Sequence, residues 1–281
     1  MPNKIFAQLP TPGQTIGTTE SKYVVIEEIG IGHFSHTYLC EDIWGSEVVA
    51  KAFKPKGMIN EVRRRWLQES DFLKQLRHPN LTYIFDAFEN DNIFYIIVER
   101  CHTTLEEVIT DLNEETRLKW FPIIARDLLR GLSFIHENGI VHKDIHPGNI
   151  LVSANSNHEL DQSASSFVCF KIGDLGVANF EDLIGQTGSV MANWMRPPEL
   201  YDESLGPADK RIDIYHIGLT LLGVILGQVV TADEGQTLAG SPRQLAESLK
   251  TVYGDALAKS LRRRVAFRTS SPFELWQDII R

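Results

Sequence analysis

Residues 142–149 read His-Lys-Asp-Ile-His-Pro-Gly-Asn and run straight into the apolar triplet Ile150-Leu151-Val152. Two histidines four apart, His142 and His146, have the spacing of a zinc-protease helix. The glutamate that such a helix carries beside its first histidine is absent, and Pro147-Gly148 stops any helix at once. The segment is therefore a constrained loop between a helix and a strand. On it Asp144 and Asn149, five residues apart, suit a base for an incoming hydroxyl and an oxygen ligand for a hard cation.

Upstream, Leu118, Phe121, Ala125, Leu128, Leu132 and Ile135 recur at spacings of three and four, which predicts a helix of about 20 residues ending at the left-handed stop Asn138-Gly139. Downstream, Ser153 to Phe167 is polar and serine-rich and reads as an exposed loop. A strand, Val168 to Gly173, then delivers Asp174-Leu175-Gly176. Alone this is a common turn; placed 25 residues after Asn149, it offers a second oxygen ligand for magnesium. The most apolar run, Ile214 to Val230, includes His216, three glycines and Gln228, so it reads as a buried core helix rather than a membrane span.

The first third of the chain is strand-like: Tyr23–Ile29, His36–Glu41 and Glu47–Phe53 are short β-rich runs, and Ile93–Glu99 is another. Between the first two lies Gly30-Ile31-Gly32-His33-Phe34-Ser35. Such a segment is either a plain hairpin turn or a backbone cradle that donates N–H groups to phosphate oxygens. A strand follows it where a dinucleotide fold needs a helix. Lys51 stands in an apolar strand, where parity alone does not settle its face. From Ile59 to Leu76 the pattern turns helical, and Val62, Trp66, Glu69, Leu73 and Leu76 share one stripe. A carboxylate at Glu69 on a buried face demands a cation. Lys51 can supply it and present its ammonium to phosphates.

The 281-residue chain has a formal net charge of −9, which leaves no general footprint for a nucleic-acid backbone. Its 43% hydrophobic and 23% charged residues are those of an ordinary globular protein. Cys40, Cys101 and Cys169 are too far apart for a disulfide framework or a paired zinc site, and point to a reducing, cytoplasmic setting. Residues 1–18 have no apolar signal core and read as a loose tail.

Taken in order, the glycine-rich segment, Lys51 with Glu69, the 142–149 loop and Asp174 are the parts that phosphoryl transfer needs. The set resembles the eukaryotic-type protein kinase family over nearly all of residues 22–281. The resemblance implies an α+β, two-lobed fold: a small antiparallel sheet with one helix over 19–99, and a mainly helical lobe over 100–281. It implies ATP and Mg2+ as ligands and a protein substrate. Gly30, Gly32 and Ser35 would form the phosphate loop, and Lys51, oriented by Glu69, would hold the α- and β-phosphates. Ile29, Thr37, Ala50 and Leu151 would join them in binding the nucleotide. Val98 would be the gatekeeper, with Glu99 and Cys101 on the adenine. Asp144 would be the catalytic base, and Asn149 and Asp174 the magnesium ligands. Pro197-Pro198-Glu199 looks like the family's Ala-Pro-Glu, with Arg268 as the partner of Glu199 and Asp213 opening the buried helix.

There are departures. Ser35 replaces a glycine and Thr37 a valine. Lys143 replaces the arginine before the catalytic aspartate, and Lys cannot make the same bidentate contact. His146 and Ala192 stand where Ser/Thr kinases usually carry a Lys and a Thr, so the acceptor hydroxyl is Ser/Thr by family frequency, with Tyr open. Thr187 and Ser189 are candidate autophosphorylation sites. Arg63–Arg65 and Arg262–Arg264 read as solvated helix faces, with phosphate docking at the first a weaker alternative. Two rival readings are a small-molecule kinase of the aminoglycoside or choline type, whose loop resembles residues 146–151, and a pseudokinase scaffold.

Overall fold

A computed structural model describes residues 8–32, 34–54, 58–155, 167–184 and 193–281. They form two compact units. The first runs to Arg77 and takes in Thr82–Arg100; the second holds His78–Leu81 and Cys101–Arg281.

The first unit is a six-stranded antiparallel sheet with one helix. Its strands are β1 (Thr15–Gly17), β2 (Lys22–Ile31), β3 (Ser35–Asp42), β4 (Glu47–Phe53), β5 (Ile84–Asn90) and β6 (Ile93–Glu99), in spatial order β1-β2-β3-β4-β6-β5. Strand alternation sends Tyr38, Cys40, Val48, Ala50 and Ala52 into one core with Ile16 and Ile97. Helix α1 (Ile59–Gln75) packs against β6. Its Trp66 stacks on Phe94 with ring centroids 5.1 Å apart and donates Nε1–H to the Tyr95 carbonyl at 2.9 Å. Glu61 in its first turn and Lys74 in its last suit the helix dipole. Buried Phe72 and Leu73 each contribute on the order of 2 kcal/mol.

The tail expected over 1–18 is corrected at its C-terminal end. Thr15–Gly17 pairs with Lys22–Val24, Ile16 is fully buried, and Leu9 packs against the sheet core. Ladder bonds and burial together outweigh the entropy of a segment that has no strong propensity of its own.

The second unit opens with β7 (Thr103–Thr104), α2 (Leu105–Asp111) and α3 (Glu114–Glu137). Asn113 caps α3 by accepting from Thr116 N at 2.9 Å. The helix is 24 residues long and continues through Pro122, because its stripe of Phe121, Ala125, Leu128 and Leu132 is wholly buried. Next come β8 (Ile140–Val141), β9 (Ile150–Asn155), β10 (Phe167–Ile172) and β11 (Asn179–Phe180), making a three-stranded sheet β10-β9-β7 and a pair β11-β8. Both ends of the loop expected from 153 to 167 are strand, since Ser153–Asn155 and Phe167–Cys169 pair across a ladder that overrides their polar composition, and residues 156–166 lie outside the described residues. Helix α4 (Arg211–Leu226) is buried from Ile212 through Ile225 and ends at Gly227, φ +74°, where a Cβ would lie 2.6 Å from Arg117 Cζ. Helices α5 (Glu234–Ala239), α6 (Ser241–Glu247), α7 (Gly254–Ser260) and α8 (Pro272–Ile279) complete the unit. Among the described residues no helix is long and apolar enough to cross a membrane.

The boundary expected at 99/100 gains an excursion. His78–Leu81 belongs to the helical unit because Asn80 O accepts from Ile172 N at 2.9 Å, Asn80 Nδ2 donates to Phe170 O at 3.0 Å, and His78 stacks on Phe134. Gly131 of α3 makes room for this turn: a Cβ there would lie 2.8 Å from Asn80 O.

Candidate active site

In the sheet unit, β3 and β4 set Thr37 directly opposite Lys51, and β4 and β6 set Val49 opposite Val98. Directly opposed residues share a face, so Lys51, Thr37, Val49 and Val98 lie on one side of the sheet, the side bearing α1. There Lys51 Nζ meets Glu69 Oε1 at 2.6 Å, with the glutamate side chain only 3% exposed. The cation that a carboxylate in the α1 stripe demands is thus Lys51. Ala50 is a correction. It is 0% exposed and packs in the core on the opposite face from Lys51, so it cannot line a site with that ammonium; Val49, two residues before Lys51, has the right parity.

At the head of this sheet Gly30 pairs with Thr37 and Ile31 with His36, and Gly32 N donates to Ser35 O at 2.9 Å across the turn. Lys54 Nζ donates to Gly32 O at 2.5 Å. A Cβ on Gly30 or Gly32 would meet nothing closer than 3.6 Å, so internal packing does not require these glycines. Ser35 is buried and Ile29 is half exposed. Glu99 N donates to Tyr83 O at 3.0 Å, and its side chain accepts from Tyr83 N at 2.8 Å.

In the helical unit the 142–149 loop hangs on one buried carboxylate. Asp213, in the first turn of α4, accepts from His142 N at 2.8 Å and Lys143 N at 2.7 Å, and its Oδ2 lies 2.8 Å from His136 Nε2. Burial pushes this carboxyl up, but the His136 hydrogen bond and the neighbouring histidines more than offset it and hold it below the usual range. The grip fixes Lys143 at φ +67°, a left-handed conformation that costs a non-glycine residue on the order of 1 kcal/mol. Lys143 is buried, and that burial lowers its pKa.

His142 Nε2 lies 3.0 Å from Gly173 O and its Nδ1 accepts from Asp144 N at 3.2 Å. Asn149 Nδ2 donates to the Asp144 carbonyl at 2.9 Å and to its Oδ2 at 3.1 Å, which turns the Asn149 amide oxygen away from these contacts. Burial raises the Asp144 pKa, with His146 and His142 opposing and Asp174 adding to the rise. His146 Nδ1 accepts from Gly148 N at 3.2 Å, Nε2 lies 3.9 Å from Asp144 Oδ2, and the ring stands edge-on to Trp194 with centroids 5.6 Å apart. Gly173 N donates to Asn149 O at 2.9 Å, joining the two loops. Asp174, at φ +56°, accepts from Gly176 N at 3.0 Å. Leu151 lies on β9 opposite Lys171 and Thr104, and Cys101 opens the unit.

Glu199 and Arg268 form a two-pronged pair, 2.7 Å at each prong, with both side chains fully buried. The structure therefore brings Lys51 to Glu69 within one unit, and Asp144, Asn149 and Asp174 into one loop cluster within the other. Val49 was missed because Val48-Val49-Ala50 is uniformly apolar and hides the alternation; parity counted from Lys51 reveals it. His136 and Trp194 carried no usable signal, since their partners are remote in sequence. Arg262–Arg264 follow α7 rather than lying on a helix, and Arg63 pairs with Glu89 at 2.6 Å. Thr187, Ser189 and Ala192 lie outside the described residues.

A sequence model of the protein kinase domain matches residues 23–269. Among curated proteins, the chain is similar to serine/threonine-protein kinase PrkC of Bacillus subtilis (strain 168), 31% identical over 215 residues, which are 74% of this chain and 31% of that one. It is 28% identical over 219 residues to mitogen-activated protein kinase mpkC of Emericella nidulans, covering 77% of this chain and 48% of the relative. With serine/threonine-protein kinase TIO of Arabidopsis thaliana it shares 29% over 216 residues, 73% of this chain and 15% of that protein. The chain thus spans less than half the length of each of these relatives.

Proposed function

We propose, since this chain belongs to the protein kinase family, that it transfers the γ-phosphate of ATP to a serine or threonine hydroxyl of a protein. The observation that carries the reading is the 142–149 loop, in which a buried aspartate fixes the backbone from behind and Asn149 fixes Asp144 from the side. A carboxylate so held can orient an acceptor hydroxyl and finally take its proton, and burial makes it a better base than a free aspartate.

Lys51, steadied by Glu69, would hold the α- and β-phosphates as a point charge. At Gly30 and Gly32 a Cβ would meet no described atom closer than 3.6 Å, so the missing side chains would let phosphate oxygens approach this turn closely. Thr37, Val49, Val98 and Leu151 would border the base, with Glu99 and Cys101 offering backbone groups to it. Asn149 and Asp174 fit magnesium: both present oxygen donors, and the Asn149 amide nitrogen is already committed to Asp144. Magnesium, when bound, neutralises charge on the phosphates. Acceleration then comes from placement and electrostatics.

The buried Glu199–Arg268 pair anchors the segment after residue 193 and supports a protein acceptor over a small molecule. The presence of Lys51, Asp144, Asn149 and Asp174 together supports an enzyme over a scaffold. Cys40, Cys101 and Cys169 form no disulfide among the described residues, which favours a cytoplasmic setting. The test is Asp144→Asn. It is expected to retain the fold and nucleotide affinity and to lower transfer from labelled ATP by about 10²- to 10⁴-fold; wild-type turnover in that variant overturns the assignment.

A further inference from the structure

The helical unit contains a groove of about 690 Å³ between the segment around Trp194 and the start of α5. Two aromatic rings, Trp194 and Tyr201, and two carboxylates, Asp233 and Glu234, line it together with Arg196. Its placement is fixed from two sides: Ala232 N donates to Trp194 O at 3.0 Å, and Asp233 caps α5 through Gln236 N at 2.8 Å. One side chain outside the groove links its Trp194 wall to Asp144. His146 spans from Asp144, at 3.9 Å, to the Trp194 ring, at 5.6 Å.

The charges favour a cation. Glu234 is exposed and accepts no hydrogen bond from the described residues, and Asp233 is exposed beside it. Arg196 is the one opposing charge in the lining. Its guanidinium is committed to the face of Tyr201, 4.9 Å from the centroid, and to Leu200 O at 3.0 Å. That stack also shows what the aromatic wall can do, since a guanidinium settles on a ring face by cation–π attraction. The Tyr201 phenol is raised by burial; Arg196 opposes this, and Glu234 and Asp233 reinforce it, so both carboxylates act on the groove interior. At longer range, residues 78–81 and 101–281 carry 24 Asp and Glu against 17 Lys and Arg, a field that draws cationic ligands in.

We infer that this groove binds an arginine or lysine side chain of the acceptor peptide, so that the substrates are proteins whose phosphorylated hydroxyl lies near a basic residue. The inference rests on the transferase reading above, and its test separates the two.

The probes are fluorescein-labelled 12-residue peptides with alanine at the acceptor position and either arginine or glutamate at the flanking positions. Binding to the full chain is read by polarisation. The wild type is expected to bind the arginine peptide at least tenfold more tightly, equivalent to about 1.4 kcal/mol, and to lose much of that ratio at high salt. In Asp233→Asn/Glu234→Gln, which keeps the α5 cap, the ratio is expected to fall to about two; Glu234→Lys reverses the preference. A ratio near one in the wild type, or a ratio unchanged in the double variant, overturns the inference. Serine versions of both peptides, incubated with labelled ATP, report the transferase reading separately. Selective binding of the arginine peptide with no phosphate transferred refutes the activity while upholding the groove.

Discussion

Removing Arg268 gives the largest effect that the structure predicts outside the reacting centre. Its guanidinium makes two 2.7 Å bonds to Glu199, donates to Arg262 O at 3.1 Å and to Arg211 O at 3.0 Å, and lies 5.0 Å over the Tyr215 ring. Both members of the ion pair are 0% exposed. Arg268→Met leaves a buried carboxylate without its counter-charge, which costs about 3–5 kcal/mol. The two carbonyls left behind add on the order of 1 kcal/mol each. For a unit of this size that corresponds to a melting temperature lower by about 10 °C or more. Urea unfolding followed by near-ultraviolet circular dichroism measures it. Glu199→Leu/Arg268→Met removes both desolvated charges and is expected to be less damaging than Arg268→Met alone. If Arg268→Met lies within about 1 kcal/mol of wild type, or the double variant is the worse of the two, the buried pair does not hold this segment as argued.

Lys51→Met takes away the 2.6 Å partner of the buried Glu69 and is expected to cost about 1–3 kcal/mol of stability while abolishing phosphate transfer; unchanged stability by urea unfolding, or wild-type turnover of labelled ATP, contradicts it. His216 is fully buried in α4, neither ring nitrogen has a partner among the described residues, and burial holds its pKa down to about 3. Above pH 6.5 it is neutral in both states and contributes nothing; below that the unfolded chain gains a proton that the folded chain refuses, so stability falls as pH drops towards 3. The loss at pH 4.5 is about 2–3 kcal/mol, and His216→Leu is expected to flatten this limb of a urea-unfolding pH series; an identical slope in the variant refutes it. Gly131→Ala gains helix propensity but drives a methyl onto Asn80 O, so a net loss of about 1 kcal/mol is expected by denaturation, and a gain shows that the 78–81 turn does not dock on α3.

What the sequence made legible were conflicts between a residue and its pattern. Glu69 in an apolar stripe required a cation, and a lysine in an apolar strand supplied one. The run around α4 was apolar on every side and so had to be core. Where the pattern was uniform or the decisive partner remote, reading failed. Val49 and Ala50 are both apolar, so their faces separate only by parity counted from Lys51, as the register opposite Val98 and Ile97 shows. Thr15–Gly17 is too short to announce itself and becomes a strand because Lys22–Val24 offers its edge. The family resemblance flagged Asp213, but not the three groups that converge on it.

The order of strands has a consequence for synthesis. Strand β4, which bears Lys51, is flanked on its far side by β6, a segment that leaves the ribosome some 40 residues later. Until then the backbone of Glu47–Phe53 offers an unpaired, mostly apolar rim to any passing chain, the kind of template on which nascent proteins stick together. Slow translation between residues 53 and 93 would lengthen that exposure, and a holdase that covers this rim would shorten it.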